Sequence, residues 1–309
     1  MTPILYNRFL ITIILFILGI LSSFSLPPYN FFFINLFTIP SLFYILVRYL
    51  NQNLLNNFLI GWVYGFGYFL SNLYWISNSL KFDENFNNLI IFSIFIIPFL
   101  LSIFYGLFSI LLKFFDMKMN FRSILIFSLI ISIIEYLRGT IFGGFPWNLI
   151  SFSLIEFTNT LQLLSLIGTY SFNLLTITFY CLPIIIFFKI SNATKASIIF
   201  TSTVILFVNS YYGDSRIKKI EQADKKQITP AIKLVSPRFK IERFFIEEPI
   251  ENKLIELLDI SYPLNKDYLL VFPEGITNMG ELNKFENDFS KISDQLTNNT
   301  KIILGITLD

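Results

Sequence analysis

Leu89-Ile-Ile-Phe-Ser-Ile-Phe-Ile-Ile-Pro-Phe-Leu-Leu-Ser-Ile-Phe-Tyr-Gly-Leu-Phe-Ser-Ile-Leu-Leu112 runs from end to end without a charged side chain. A helix needs about 20 predominantly apolar residues to cross the hydrocarbon core of a bilayer, and this stretch suffices. Working outward, six more apolar segments read as spans: Phe9–Phe24, Phe31–Val47, Phe58–Leu80, Ile124–Leu137, Leu161–Phe188 and Ala196–Tyr211. Ile124–Leu137 is the shortest. Composition agrees: 54% of residues are hydrophobic and 14% charged, where soluble domains carry about 25% charge. Most of this chain is solvated by lipid. The first span is followed by further spans and by no small-x-small cleavage site, so it does not read as a removable leader.

Lysine and arginine between the spans set an orientation. Arg8, Arg48, Lys113, Lys118, Arg122, Lys189 and Lys195 fall in alternate connections, on one side; only Lys81 and Arg138 fall in the others. The expectation is a cytoplasmic N-terminus and, after seven spans, a chain emerging beyond Tyr211 on the opposite face. In a bacterium-like cell that face is the periplasm.

From Gly213 the composition changes. Of 23 Lys and Arg residues 14 lie after Tyr212, as do 16 of the 21 acids. A charged linker, Asp214–Thr229, leads to a strand around Ile232–Val235. A helical segment then carries Leu254, Ile255, Leu257 and Leu258. Next come Tyr268–Phe272 as a strand and Leu282, Phe285, Phe289, Ile292 and Leu296 at helical spacing. Ile302–Leu308 supplies a third strand. Alternating strands and helices predict a parallel α/β sheet. Three strands and two helices make a marginal core, so this domain reads as incomplete. The fold class is a polytopic α-helical bundle, 1–212, followed by a partial α/β domain, 213–309.

The stretch Tyr268-Leu-Leu-Val-Phe-Pro-Glu-Gly275 places Glu274 just past the carboxyl end of a buried strand. Open α/β sheets bind ligands there; taken by itself, the stretch reads more readily as a surface glutamate in an ordinary strand-to-loop turn. The chain has no histidine. Ser-His-Asp and Cys-His catalysis and His-ligated metals are therefore excluded, and acid–base work falls to Glu, Asp, Lys or Tyr. Cys181 is the only thiol and lies inside an apolar run, where it reads as a small buried hydrophobe. A net charge of +2 gives no indication of nucleic-acid binding.

Within the membrane part, Glu135 and Arg138 stand i,i+3 and can pair on a helix. A carboxylate at membrane depth costs about 2.5–3.5 kcal/mol even on the lenient scale, so it pairs or faces a cavity. Gly143, Gly144 and Pro146 break the helix that follows, and Trp147 suits the headgroup level. Two readings fit: a salt-bridged helix end with an interfacial anchor, or a lipid-facing pocket. Gly61 and Gly65 form a GxxxG, which favours close helix packing.

Taken together, Ser25-Leu-Pro-Pro-Tyr-Asn30, Gly61-Trp62 with Gly67-Tyr-Phe69, Tyr74-Trp75-Ile76, Glu135 through Asn148, Gln162 with Ser165 and Gly168-Thr-Tyr170, Lys233-Leu-Val235 with Pro237, and Phe272-Pro-Glu274 resemble apolipoprotein N-acyltransferase. The resemblance runs in family order from about residue 20 to the end of the sequence. It implies a nitrilase-like periplasmic domain on a membrane bundle. It also implies acyl transfer from a membrane phospholipid to the N-terminal amine of a diacylglyceryl apolipoprotein, through a cysteine thioester. No cofactor is implied. By motif position Glu274 matches the family's general base; Glu135, Arg138 and Trp147 are substrate-binding candidates. The family's lysine, nucleophilic cysteine and closing span lie downstream of the Pro-Glu motif and have no counterpart here, so this chain is expected to be inactive alone. After Pro237 the family shows Asn, Gln and Trp, where Arg238, Ile241 and Phe244-Phe245 stand. A seven-span transporter and a non-catalytic membrane scaffold are the alternatives.

Overall fold

The computed structural model describes residues 3–50, 53–82, 84–141, 143–223, 231–239, 250–262, 268–273, 277–278 and 300–307. The chain divides into two compact units, Met1–Gln222 and Ala223–Asp309.

The first unit is helical: α1 (Pro3–Ser23), α2 (Asn35–Tyr49), α3 (Leu54–Leu73), α4 (Leu89–Leu112), α5 (Phe121–Thr140), two single turns α6 (Thr158–Leu161) and α7 (Leu164–Ile167), α8 (Thr169–Cys181) and α9 (Asn192–Gln222). Helix starts follow local chemistry. The Asn53 side chain accepts from Asn56 N at 2.8 Å ahead of α3, and that of Asn120 accepts from Ser123 N at 2.9 Å ahead of α5; asparagine favours this N-cap position. Five helical segments are long and apolar enough to cross a membrane: Phe32–Tyr49, Leu89–Leu112, Phe121–Thr140, Thr169–Phe187 and Asn192–Gln222. The other two expected spans overlap α1, whose apolar part is Arg8–Ser23, and α3, which ends at Leu73 where a 3-10 helix, Tyr74–Phe82, takes over the rest of the expected Phe58–Leu80. Asn56, Asn57, Asn72 and three glycines dilute the hydropathy of α3.

Further segments depart from the expected bounds for identifiable reasons. The cap at Asn120 starts α5 three residues before Ile124, and α5 runs on to Thr140. The sixth segment is broken where Gly168, at φ +76°, ends α7 and precedes α8; only glycine enters that region at low cost. The expected linker from Asp214 begins instead as helix, because α9 continues through Lys218, Lys219 and Glu221 to Gln222. Straight-chain charged residues are good helix formers, so the change of composition at Gly213 falls inside α9.

Helix α3 is the centre of the bundle. A Cβ on Gly61 would lie 2.0 Å from the carbonyl oxygen of Tyr105 on α4, and one on Gly67 would lie 2.3 Å from that of Phe16 on α1. The small residues let three backbones approach, the arrangement favoured where lipid supplies no hydrophobic drive between helices. The core formed around them includes Tyr64, Tyr68, Phe69, Tyr105, Phe108 and Phe127, all buried.

The second unit has strands β1 (Ala231–Leu234), β2 (Tyr268–Val271), β3 (Thr277–Asn278), β4 (Lys301–Ile303) and β5 (Ile306–Thr307), with α10 (Ile250–Ser261) between the first two. β1, β2 and β4 form a parallel sheet with β2 central; Ile232 is opposite Leu269, and Leu270 opposite Ile302. The segment expected as one last strand makes two: β4 in this sheet, and β5, which pairs in parallel with β3. Leu254, Leu257 and Leu258 of α10 bury against Leu270, Phe272 and Val235. β2 is covered less completely than an uninterrupted apolar run suggests. Leu270 and Phe272 are buried, while Tyr268, Leu269 and Val271 are partly so. The amphipathic segment Leu282–Leu296 lies outside the described residues.

Candidate functional site

Helix α5 carries Glu135 and Arg138 one turn apart, and both side chains are fully buried. Arg138 Nε donates to Glu135 Oε2 at 2.8 Å, and Nη2 donates to the same oxygen. The other carboxylate oxygen, Oε1, accepts from the Tyr105 hydroxyl on α4 at 2.8 Å. Two aromatic rings flank the guanidinium, Phe69 at 5.2 Å and Phe145 at 5.9 Å from its carbon. A buried ion pair is tolerated when its remaining hydrogen-bonding groups are also met. That condition holds here.

The third nitrogen of Arg138 points out of the pair. Nη1 donates to the Phe145 carbonyl oxygen at 2.6 Å, while Phe145 N donates to the Arg138 carbonyl oxygen at 2.8 Å. The chain between them can close because Gly143 and Gly144 adopt φ +84° and +76°, conformations that cost other residues strain. Tyr68 on α3 adds a tie, its hydroxyl donating to the Asn148 carbonyl oxygen at 2.9 Å. Asn173 on α8 adds another, accepting from Ser151 N at 2.9 Å.

This tethered segment presents Trp147. Its ring stacks on Trp75 with centres 5.8 Å apart and 17° between planes, and both indoles are about half exposed. Trp75 follows α3 and Trp147 follows α5, so the stack joins the carboxyl ends of those helices. Of the site residues read from sequence, the structure brings Glu135 and Arg138 into contact and holds Trp147 two residues beyond Arg138's anchor at Phe145. Both carboxylate oxygens of Glu135 are engaged, one by Arg138 and one by Tyr105. Tyr105 and Phe69, which meet the pair from α4 and α3, are not marked by helical spacing in the sequence. For Tyr105 the available signal is a tyrosine where phenylalanine dominates, since a hydroxyl in hydrocarbon needs a partner.

Glu274 lies outside the described residues. It follows the carboxyl end of β2 by three residues, and β2 is the central strand of its sheet. The strand's last pairing places Phe272 N on the Ile303 carbonyl oxygen at 3.0 Å. Cys181 ends α8 in the other unit and is fully buried. An apolar cleft of about 380 Å³ opens between α8 and α9, walled by Phe172, Leu175, Phe179, Ile205 and Leu206.

Among the described residues, apolar helices enclosing a buried, partnered ion pair define a multi-pass membrane protein. Residues 18–182 match the family described as apolipoprotein N-acyltransferase N-terminal domain. This chain belongs to the apolipoprotein N-acyltransferase family. It is 32% identical over 265 residues to the apolipoprotein N-acyltransferase of Rickettsia typhi, covering 85% of this chain and 51% of that protein. The protein of the same name from Rickettsia prowazekii is 30% identical over 264 residues, with the same two coverages. That from Rhizobium rhizogenes is 24% identical over 316 residues, 97% of this chain and 58% of the relative. The chain spans about half the length of the curated relatives it matches.

Proposed function

We propose that this chain carries the membrane part, residues 1–212, and part of a nitrilase-like domain, residues 213–309, of an enzyme that N-acylates lipoproteins. An acyl chain would pass from a membrane phospholipid to the α-amino group of a diacylglyceryl-modified N-terminal cysteine. In that reaction a thiolate attacks the phospholipid ester, forms a thioester and releases the lysolipid alcohol. The incoming amine then attacks the thioester, forms the amide and restores the thiol. Glu274 is the group we assign as general base, taking first the thiol proton and then that of the amine. The bundle lies in the bacterial inner membrane with its N-terminus cytoplasmic and the second unit periplasmic, as the distribution of lysine and arginine favours.

The observation that carries this reading is the family match through residues 18–182. The parallel order β1-β2-β4, with Glu274 following the central strand, supports it. The only cysteine, Cys181, is buried in the helical unit, which supports the reading that it is not the acyl-carrying thiol.

A chimera tests the proposal. This chain replaces the matching segment of the Rickettsia typhi relative, and a diacylglyceryl peptide is incubated with it in phospholipid vesicles. Mass spectrometry is expected to show N-acylated peptide with the chimera, none with its Glu274→Gln variant, and no thioester on the 309-residue chain alone. A thioester on Cys181, or full activity of the Glu274→Gln chimera, would overturn it.

A further inference from the structure

We propose that the cleft formed by the amino end of α1, the carboxyl end of α2 and the start of α3 is a binding site for an anionic membrane phospholipid. The cleft has a volume of about 200 Å³. Arg8, Tyr49 and Asn56 line it, one from each helix. The Arg8 guanidinium, the Tyr49 hydroxyl and the Asn56 side-chain amide have no hydrogen-bond partner among the described residues. No acidic side chain is among the groups that line the cleft. A cation and two neutral polar residues on the lining of one cleft, with no acidic residue beside them, suit a phosphate diester, which can accept from each.

The rest of the lining fixes the ligand as a lipid. Ile11 and Leu15 follow Arg8 along α1, and Leu59 faces them from α3. From Arg8 to Leu15 the helix rises about 10 Å at 1.5 Å per residue, so the cleft runs from a polar mouth into an apolar interior. Arg8 begins the apolar stretch Arg8–Ser23, and an arginine in that position reaches the headgroup level. Basic pockets between membrane helices bind anionic headgroups through the same combination. This inference needs neither Glu274 nor the acyl-transfer reading.

The test uses the full chain in mild detergent, with retained lipid counted by native mass spectrometry. The probes are phosphatidylglycerol, phosphatidylcholine and glycerol phosphate, the last an anion with no acyl chains. Wild type is expected to retain one phosphatidylglycerol in preference to phosphatidylcholine, and glycerol phosphate is not expected to displace it. Arg8→Gln should weaken retention about tenfold, the scale of one lost charge-assisted hydrogen bond, while Arg8→Lys keeps most of it. Leu59→Trp, which fills the apolar part, should also weaken retention. Since Arg8 is exposed, Arg8→Gln should keep the circular dichroism of the wild type. Equal retention of the two lipids, or unchanged retention in Arg8→Gln, overturns the proposal. Displacement by glycerol phosphate overturns it in favour of a soluble phosphate ester.

Discussion

Arg138 and Phe145 hold each other at two points: the Arg138 side chain donates to the Phe145 carbonyl, and the Phe145 amide donates to the Arg138 carbonyl. One residue thus closes the end of α5 and fixes the loop that follows. The same guanidinium is anchored below by Glu135, whose second oxygen is held by Tyr105. The route from buried pair to exposed indole is continuous: Tyr105, Glu135, Arg138, Phe145, Trp147, Trp75.

Removing one partner of the pair should cost far more than removing both. Glu135→Ala leaves a guanidinium buried without its counter-ion, a change that costs about 3–5 kcal/mol. The double variant Glu135→Leu, Arg138→Met should recover most of that loss, because apolar residues of similar volume satisfy the same space. Thermal unfolding in detergent compares them. A double variant no more stable than Glu135→Ala would show that the pair is not the source of the effect.

The clasp on the loop is separable from the ion pair. Arg138→Lys keeps a positive charge beside Glu135 but has no planar fork to reach Phe145 at the same time. The prediction is a loosened 143–149 segment with the helical core intact. Placed in a Trp62→Phe background, the variant should show stronger acrylamide quenching of the remaining indoles, Trp75 and Trp147. Quenching equal to that of the parent would mean that Tyr68 and Asn173 hold the loop unaided.

The sequence made this pair legible because helical spacing alone puts Glu135 and Arg138 on one face, and Gly143, Gly144 and Pro146 mark where the helix must stop. Gly61 was legible for a similar reason, since a GxxxG in an apolar helix has few other uses. What pairs with what across helices was not legible. Nothing in the spacing of Tyr64, Tyr68 or Tyr105 states that α4 brings a hydroxyl to a carboxylate on α5, because that depends on the rotation of each helix about its axis. The breaks around residues 162–168 were hidden by an apolar run that continues across them; only Gly168 signalled one. The helical continuation of α9 past Tyr212 was masked by the sharp change in charge, which marks a change of solvent and not the end of a helix.

Gly61 and Gly143 should both lose stability on substitution, for different reasons. At Gly61 the obstacle is space, a backbone carbonyl 2.0 Å from any added Cβ, so Gly61→Ala should cost about 1–3 kcal/mol as overpacking does. At Gly143 nothing lies within 4 Å, but φ is +84°. Its cost is conformational, about 1–2 kcal/mol for alanine in the left-handed region. Asparagine tolerates that region better than other residues, so Gly143→Asn should recover part of the loss where Gly61→Asn recovers none. Melting temperatures of the four variants decide this, and a neutral Gly61→Ala would rule out close contact between α3 and α4.

Cys181 gives the sharpest test of how the chemistry is divided. It is wholly enclosed at the end of α8, beside Tyr180, whose hydroxyl bonds Ser153 at 2.7 Å. A thiol shielded on all sides reacts slowly because the reagent cannot approach it. In the folded chain, N-ethylmaleimide should leave Cys181 unmodified over a period in which an exposed peptide thiol reacts to completion. Denaturant should release it. Cys181→Ala should accordingly leave the chimera's N-acylation rate within about twofold of the parent, since the substitution removes a few buried atoms and no reacting group; the expected penalty is the small one of a shortened core side chain. Rapid labelling of the folded chain, or a chimera inactivated by Cys181→Ala while still folded, would move the nucleophile into the membrane unit and displace Glu274 as its base.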